Sequence, residues 1–327
     1  MEEKIDIILA TYNTHIPYLK EQIDSILNQT YQNIHLIISD DNSPNKEIQE
    51  ILKQYEKQDK RITIYLQEEN KGYIKNFEFL LKKSESNYIM FADHDDIWYP
   101  QKVEKSIETL EKENVDLVYC NAHQINENGE IIHESYLTYK NVPCIQGKNN
   151  LAISRCIGIG CSQIFTKEVK QKMLPFTDQV MAHDWLAAFV ANEGKGIACI
   201  QEPLLGYRLH NTNVFGGRNL TQNLARWKEE HGNTYSSYLK YRKESVIDKA
   251  YLDGARMCSQ YARLEEDKKW IKQLIQYYEN LEKSKYINWH IAKYFKFLKG
   301  KDLTKKMIKE ILIFHLPILG YVAFKIG

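Results

Sequence analysis

Several things are scarce in this 327-residue chain, and each scarcity excludes a class of protein. No stretch reaches the roughly 18 uninterrupted apolar residues of a spanning helix, so no transmembrane segment is expected. Met1-Glu2-Glu3-Lys4 leads straight into a strand-like run without the pattern of a signal peptide. The six cysteines form no C-x-x-C pair and no small disulfide scaffold. Most lie in apolar runs and read as reduced core residues, which suits a cytoplasmic protein. Neither sign of charge dominates, with 44 Lys and Arg against 43 Asp and Glu, so the global balance calls for neither nucleic acid nor an acidic partner. No nucleophile-elbow G-x-S-x-G, Walker-A loop or dinucleotide glycine fingerprint occurs; Gly158 and Gly160 lack that spacing. Internal repeats and low-complexity linkers are absent too.

What is present alternates. Ile5–Ala10, Ile34–Ser39, Ile62–Leu66, Tyr88–Ala92 and Asp116–Asn121 are short apolar runs of strand composition. Between them lie amphipathic stretches at 17–30, 46–55, 73–83 and 101–113, the first with Pro17 in its opening turn. This β-α order predicts an α/β fold with a mostly parallel sheet and helices on both faces. Asn126-Glu127-Asn128-Gly129 predicts a hairpin turn. Further strands are expected at Gly160–Phe165, Gly196–Ile200 and Leu204–Leu209, with a helix at 181–192. Beyond Gly217 strand runs and glycines become rare. The expected division is therefore a catalytic domain over 1–217 and a helical, basic region over 218–327.

The densest chemistry is Asp93-His94-Asp95-Asp96, at the carboxyl end of a strand, where open α/β sheets place their ligands. Three carboxylates in four positions are costly unless a cation sits among them, and Mg²⁺ or Mn²⁺ is the match for hard oxygen ligands. The alternative is a solvated acidic turn before the helix near Pro100. Two other strand ends carry polar groups. Tyr12 can stack on a base while Thr11 hydrogen-bonds it; a plain turn is the competing reading. A carboxylate at Asp40-Asp41 can accept the imide N–H of uracil or thymine, whereas Ser43 there also suits a helix cap.

These residues resemble the inverting glycosyltransferases of family 2, which have the GT-A fold. The resemblance spans about residues 4–212 and rests on ordered motifs: Ile8–Asn13, Ser25–Tyr31, Ile38–Ser43, Asn70-Lys71-Gly72, Ala92–Pro100, His183-Asp184-Trp185 and Tyr207–Asn213. It implies that Asp41 reads the base and that Asp93 contacts the ribose or nucleotide. It further implies Asp95 as metal ligand, Asp96 as support for metal or acceptor, and His210 near the metal and diphosphate. Asp184 is implied as the general base, against a plain role at a helix N-terminus.

Asp-His-Asp-Asp-Ile-Trp and His-Asp-Trp are similar to the rhamnosyltransferase-like branch, whose donor is commonly dTDP-L-rhamnose. His94 and Leu186 depart from that pattern, and UDP-linked hexoses or N-acetylhexosamines remain open. The implied acceptor is a lipid-linked bacterial surface polysaccharide. From Lys283 onward ten lysines face two acids. With Trp289, Phe295, Phe297 and a short apolar run broken by Pro317, they suit peripheral contact with the inner face of a membrane, or packing on protein. No nucleic-acid-binding motif accompanies those lysines. A pyrophosphorylase would need a glycine-rich, Arg-containing loop where Ala10-Thr11-Tyr12-Asn13 stands. A non-catalytic nucleotide-sugar-binding or scaffold protein would not need Asp95, Asp184 and His210 together.

Overall fold

Strand β1 (Ile5–Thr11) is buried along its whole length. A strand buried from end to end, apolar apart from Asp6 and Thr11, suits the middle of a parallel sheet covered on both faces. It pairs in parallel with β2 (Ile34–Asp40) on one side and β4 (Tyr88–Ala92) on the other, and β3 (Ile62–Leu66) extends the array beyond β2. Three crossover helices connect these strands: α1 (Ile16–Leu27), α2 (Lys46–Gln58) and α3 (Tyr73–Lys83). Each buries one stripe, such as Leu19, Ile23 and Ile26 on α1 or Phe77, Leu80 and Leu81 on α3. Burying one such side chain contributes about 2 kcal/mol. Asn45 caps α2, its side chain accepting the N–H of Glu47 at 3.0 Å.

The sheet changes character at β4. Its second neighbour, β8 (Gln163–Thr166), is antiparallel to it, and the order continues through β6 (Leu117–Ile125) and β9 (Ile197–Arg208) to β5 (Ile97–Trp98), with β7 (Ile131–His133) beside β6. Since β6 opposes β8 and β9 parallels β6, both run with β1 to β4; only β5, β7 and β8 oppose them. The sheet is therefore mostly parallel. Helix α4 (Lys102–Glu113) packs on β6, β8 and β9, while α5 (Tyr136–Lys140) packs on β6. Helices α6 (Leu151–Ser154) and α7 (Lys167–Met173) both pack on α8 (His183–Glu193).

This computed structural model describes residues 2–140, 142–149, 151–154, 156–210, 227–237 and 246–283. The chain divides into two compact units, Met1–Leu209 with Gln260–Arg263, and His210–Ser259 with Leu264–Gly327. The expected 217/218 boundary and the expected membrane-contact stretches at 286–299 and 311–324 lie outside the described residues. In the second unit, helices Val246–Tyr261 and Glu265–Lys283 bury Leu252 and Ala255 with Leu274 and Tyr278. Arg256 Nη2 meets Glu279 Oε1 at 3.0 Å there. Among the described residues no helix is long and apolar enough to cross a membrane.

Three expectations are corrected. The runs at 196–200 and 204–209 form one strand, β9, which shifts register where Asn121 stands opposite Pro203, a residue with no N–H for the ladder. Gly160–Ser162 is a 3₁₀ turn that leads into β8, because the strand pairs only from Gln163 onward. Not all six cysteines are free. Cys144 and Cys199, 55 residues apart, form a disulfide with Cα atoms 5.3 Å apart, while Cys120, Cys156, Cys161 and Cys258 are thiols. The segment around Gly147 folds back on Ile197 of β9, and no local spacing announces that return.

Candidate active site

Parallel register brings three loops to one edge. Thr11 stands opposite Asp40, and Leu9 opposite Ala92, so Tyr12–Asn13, Asp41–Ser43 and Asp93–Asp96 all leave the sheet at its carboxyl side. Thr11 is buried and its carbonyl accepts the Asp41 N–H at 2.9 Å; Tyr12 is 47% exposed and free to take a planar partner. The two neighbouring acids differ in use. Asp40 is fully buried and takes bonds from Ser43 N–H and hydroxyl and from Gln49. Asp41 holds the loop after β3, accepting the N–H of Lys71 at 3.0 Å and of Gly72 at 2.8 Å. Gly72, at φ +82°, supplies a conformation that side chains disfavour.

The antiparallel turn of β8 completes the acidic cluster. Ile164 pairs with Met90, so the chain just before β8 lies beyond Ala92, beside Asp93. Asp93, Asp96 and Cys161 thus present ligand atoms within 4.8 Å of one another. Burial, and then the charges of Asp95 and Asp184, push the Asp93 carboxyl up to about 7. Burial followed by Asp95 and Asp93 holds Asp96 well above the usual carboxylate range. One Asp96 oxygen accepts the Arg208 N–H at 3.1 Å; the other is buried without a donor of normal geometry.

Arg208, at the end of β9, is fully buried behind this turn. Its Nε donates to the Asp95 carbonyl at 2.8 Å, and its Nη1 donates to the carbonyl of Glu127 at 2.9 Å. Nη2 pairs with Glu21, and the guanidinium lies 4.3 Å from the Tyr18 ring centre. Lys102 is buried nearby with Nζ 3.3 Å from the centre of the Trp98 ring, and burial lowers it to about 8.

Helix α8 brings Asp184 alongside. His183, the first residue of α8, stacks on Phe77 at 3.8 Å between ring centres and meets Phe91 of β4 at 4.6 Å, which seats the helix N-terminus against β4. Burial lowers His183 to about 4, so it is neutral. Asp184 Oδ1 accepts the Trp185 N–H at 2.8 Å, and its Oδ2 lies 3.5 Å from the Cys156 sulfur.

The carboxylates of Asp93 and Asp96 fit a divalent cation on their own chemistry, while Asp95, the ligand expected from the sequence, is not among the ligand atoms gathered within 4.8 Å in the described residues. Crowded, partly protonated carboxylates with an orphaned oxygen gain by holding one, and oxygen ligands select Mg²⁺ or Mn²⁺. Cys161, kept protonated by burial, is a neighbour of such an ion rather than a hard ligand.

Glycosyl transferase family 2 describes residues 6–174 of this chain, half of its length and the whole of the edge just described apart from α8 and β9. The chain belongs to that family. An uncharacterized glycosyltransferase of Methanocaldococcus jannaschii is 30% identical over 67% of this chain and 76% of its own. The UDP-Glc:alpha-D-GlcNAc-diphosphoundecaprenol beta-1,3-glucosyltransferase WfgD of Escherichia coli is 29% identical over 60% of this chain and 73% of its own. S. aureus TarS 1-349, solved with UDP-GlcNAc, has TM-score 0.58 at 14% identity, covering 98% of this chain and 89% of that one, a likeness of fold. The fold is GT-A, and the chain is a nucleotide-sugar-dependent glycosyltransferase.

Thr11, Tyr12, Asp40, Asp41, Asp93, Asp95, Asp96 and Asp184 all fall in the first unit. His210, partly exposed just past β9, begins the second. Sequence reasoning passed over Arg208, Lys102, Cys161 and Tyr73. Arg208 had a signal, a cation inside the apolar run Leu204–Leu209; Cys161 had none, because only the antiparallel pairing of β8 carries it to Asp93.

Proposed function

We propose that the chain moves a sugar from a nucleoside diphosphate sugar to a hydroxyl of a lipid-linked saccharide, with inversion. The observation that supports this best is geometric: Asp93, Asp96 and Cys161 gather within 4.8 Å at the edge where β1, β2 and β4 end, and a side-chain carbon at the adjoining Gly160 would lie 3.4 Å from Asp184 Cβ. The pyrimidine lies against Tyr12, and Asp41 accepts its imide N–H through lone pairs left over from the Lys71 and Gly72 bonds. Asp93 positions the ribose. Asp95, with Asp96 in support, would hold Mn²⁺ or Mg²⁺, which when bound offsets the charge of the departing diphosphate. Asp184 accepts the acceptor hydroxyl's proton as the new oxygen–carbon bond forms at the anomeric centre. The bond to phosphate breaks with its electron pair leaving on the diphosphate.

A UDP-linked glucose donor is favoured by the likeness to the glucosyltransferase WfgD, whose name specifies UDP-Glc. The Asp-His-Asp-Asp-Ile-Trp run favours a second reading, dTDP-L-rhamnose. Both are tested by hydrolysis of UDP-glucose, UDP-N-acetylglucosamine and dTDP-rhamnose with Mn²⁺ or Mg²⁺. Asp184→Asn is expected to lower turnover by about a thousandfold or more while donor affinity stays within about twofold. Full turnover in that variant removes Asp184 from the base role.

A further inference from the structure

One exposed tyrosine joins the two halves of the site. Tyr73 opens α3, directly after the Lys71-Gly72 loop that Asp41 holds, and is 40% exposed. Its hydroxyl donates to the Met181 carbonyl at 2.8 Å, across 108 residues of sequence. Met181 stands three residues before Asp184, in the approach to α8. The N-cap of α8, Ala182, has no side chain able to cap the helix. The Tyr73 ring also meets the His183 ring edge-on, with centres 6.4 Å apart. The first turn of α8 therefore takes part of its anchorage from the loop on the nucleotide side.

We propose that Tyr73 is a positioning residue that couples occupation of the Asp41 loop to the placement of Asp184. The inference rests on the reading of Asp184 as proton acceptor and of the Asp41 loop as the pyrimidine side. A base N–H arriving at Asp41 draws on the same carboxylate that holds Lys71 and Gly72. Any tightening of that loop passes through the Gly72–Tyr73 peptide and the Tyr73 hydroxyl to Met181. A side chain with a merely structural role would stabilise the fold without linking these two segments.

Tyr73→Phe keeps the ring and removes only the hydroxyl. Amide exchange supplies a readout independent of turnover: the Leu186 N–H donates to the Ala182 carbonyl at 3.1 Å and reports fraying of the first turn of α8. In the free full-length chain the variant is expected to raise Leu186 exchange about fivefold, leaving Gly72 and Asn76 unchanged and the melting temperature within about 2 °C. Saturating UDP or dTDP is expected to slow exchange at both segments in the parent chain, but only at the loop in the variant. Turnover of the active donor is expected to fall about tenfold with donor KM unchanged. Equal Leu186 exchange in parent and variant overturns the proposal, as does nucleotide protection of α8 that survives the loss of the hydroxyl. Failure of the underlying reading shows separately, as unimpaired turnover in Asp184→Asn or no binding of either nucleotide.

Discussion

Arg208 donates from Nε to the carbonyl of Asp95 at 2.8 Å, so a buried cation on the last residue of β9 grips the backbone of the acidic turn. The same fork reaches the carbonyls of Asn126 and Glu127 in the β6–β7 turn and the carboxylate of Glu21 on α1. A planar five-donor group serves these diverging acceptors; an ammonium cannot. Arg208→Lys is expected to cost about 3 kcal/mol, several charge-assisted bonds lost at once. Turnover is expected to fall at least about tenfold at temperatures where the variant is still folded. Chemical denaturation and donor hydrolysis, measured together, check both. Parental activity in a destabilised variant would show that Arg208 serves the fold alone.

The disulfide makes a countable prediction. Denatured without reductant, the chain is expected to show four thiols, Cys120, Cys156, Cys161 and Cys258, and two more after reduction. Closing a 55-residue separation is worth about 4 kcal/mol on the chain-entropy account, so Cys144→Ser should lower stability by up to about that amount. A count of six thiols before reduction contradicts the pairing.

Acid stability carries the signature of Asp6. Burial alone would raise this carboxyl, but His35 and the N–H groups of Ser86 and Glu85 outweigh it and bring it down to about 2. The ordinary value is 3.8. The unfolded chain thus binds the extra proton between those values, and stability contributed by Asp6 is complete above about 4 and disappears as the pH falls through about 2. Asp6→Asn is expected to remove about 2 kcal/mol at neutral pH, with the difference from the parent vanishing near pH 2. Urea unfolding across that range checks the convergence; a constant difference would assign the loss to packing.

The lysine-rich C-terminal stretch makes a prediction from sequence. Beyond Lys283 nine lysines against two acids give an excess of seven charges, each worth about 1 kcal/mol near an anionic surface. Truncation after Lys283 is expected to abolish co-flotation with phosphatidylserine-containing vesicles at low salt while donor hydrolysis persists. Equal flotation of both forms counts against membrane docking.

Much of the fold was legible because parallel strands must be buried on both faces. Ile5–Ala10, Ile34–Ser39 and Tyr88–Ala92 read as strands for that reason, and their carboxyl ends located the loops at Thr11, Asp41 and Asp93. The helix at 167–173 was not legible: Lys167 to Met173 has two buried apolar residues in seven, too few to show a period. Likewise, Asp40 and Asp41 look alike in sequence, yet one is spent on Ser43 and Gln49 and the other on the Lys71-Gly72 loop.

The linear chain by itself determined the α/β class, the order of strands and helices from β1 to β4, and which loops carry carboxylates, since periodicity and turn chemistry act over a few residues. Tertiary structure alone decided which groups meet. The antiparallel entry of β8 put Cys161 beside Asp93 and Asp96, and β9 carried Arg208 under Asp95. A hydroxyl on Tyr73 reached Met181, and Cys144 found Cys199. These contacts join residues 55 or more positions apart, and their partners are chosen by how the sheet and helices pack, which no local pattern encodes.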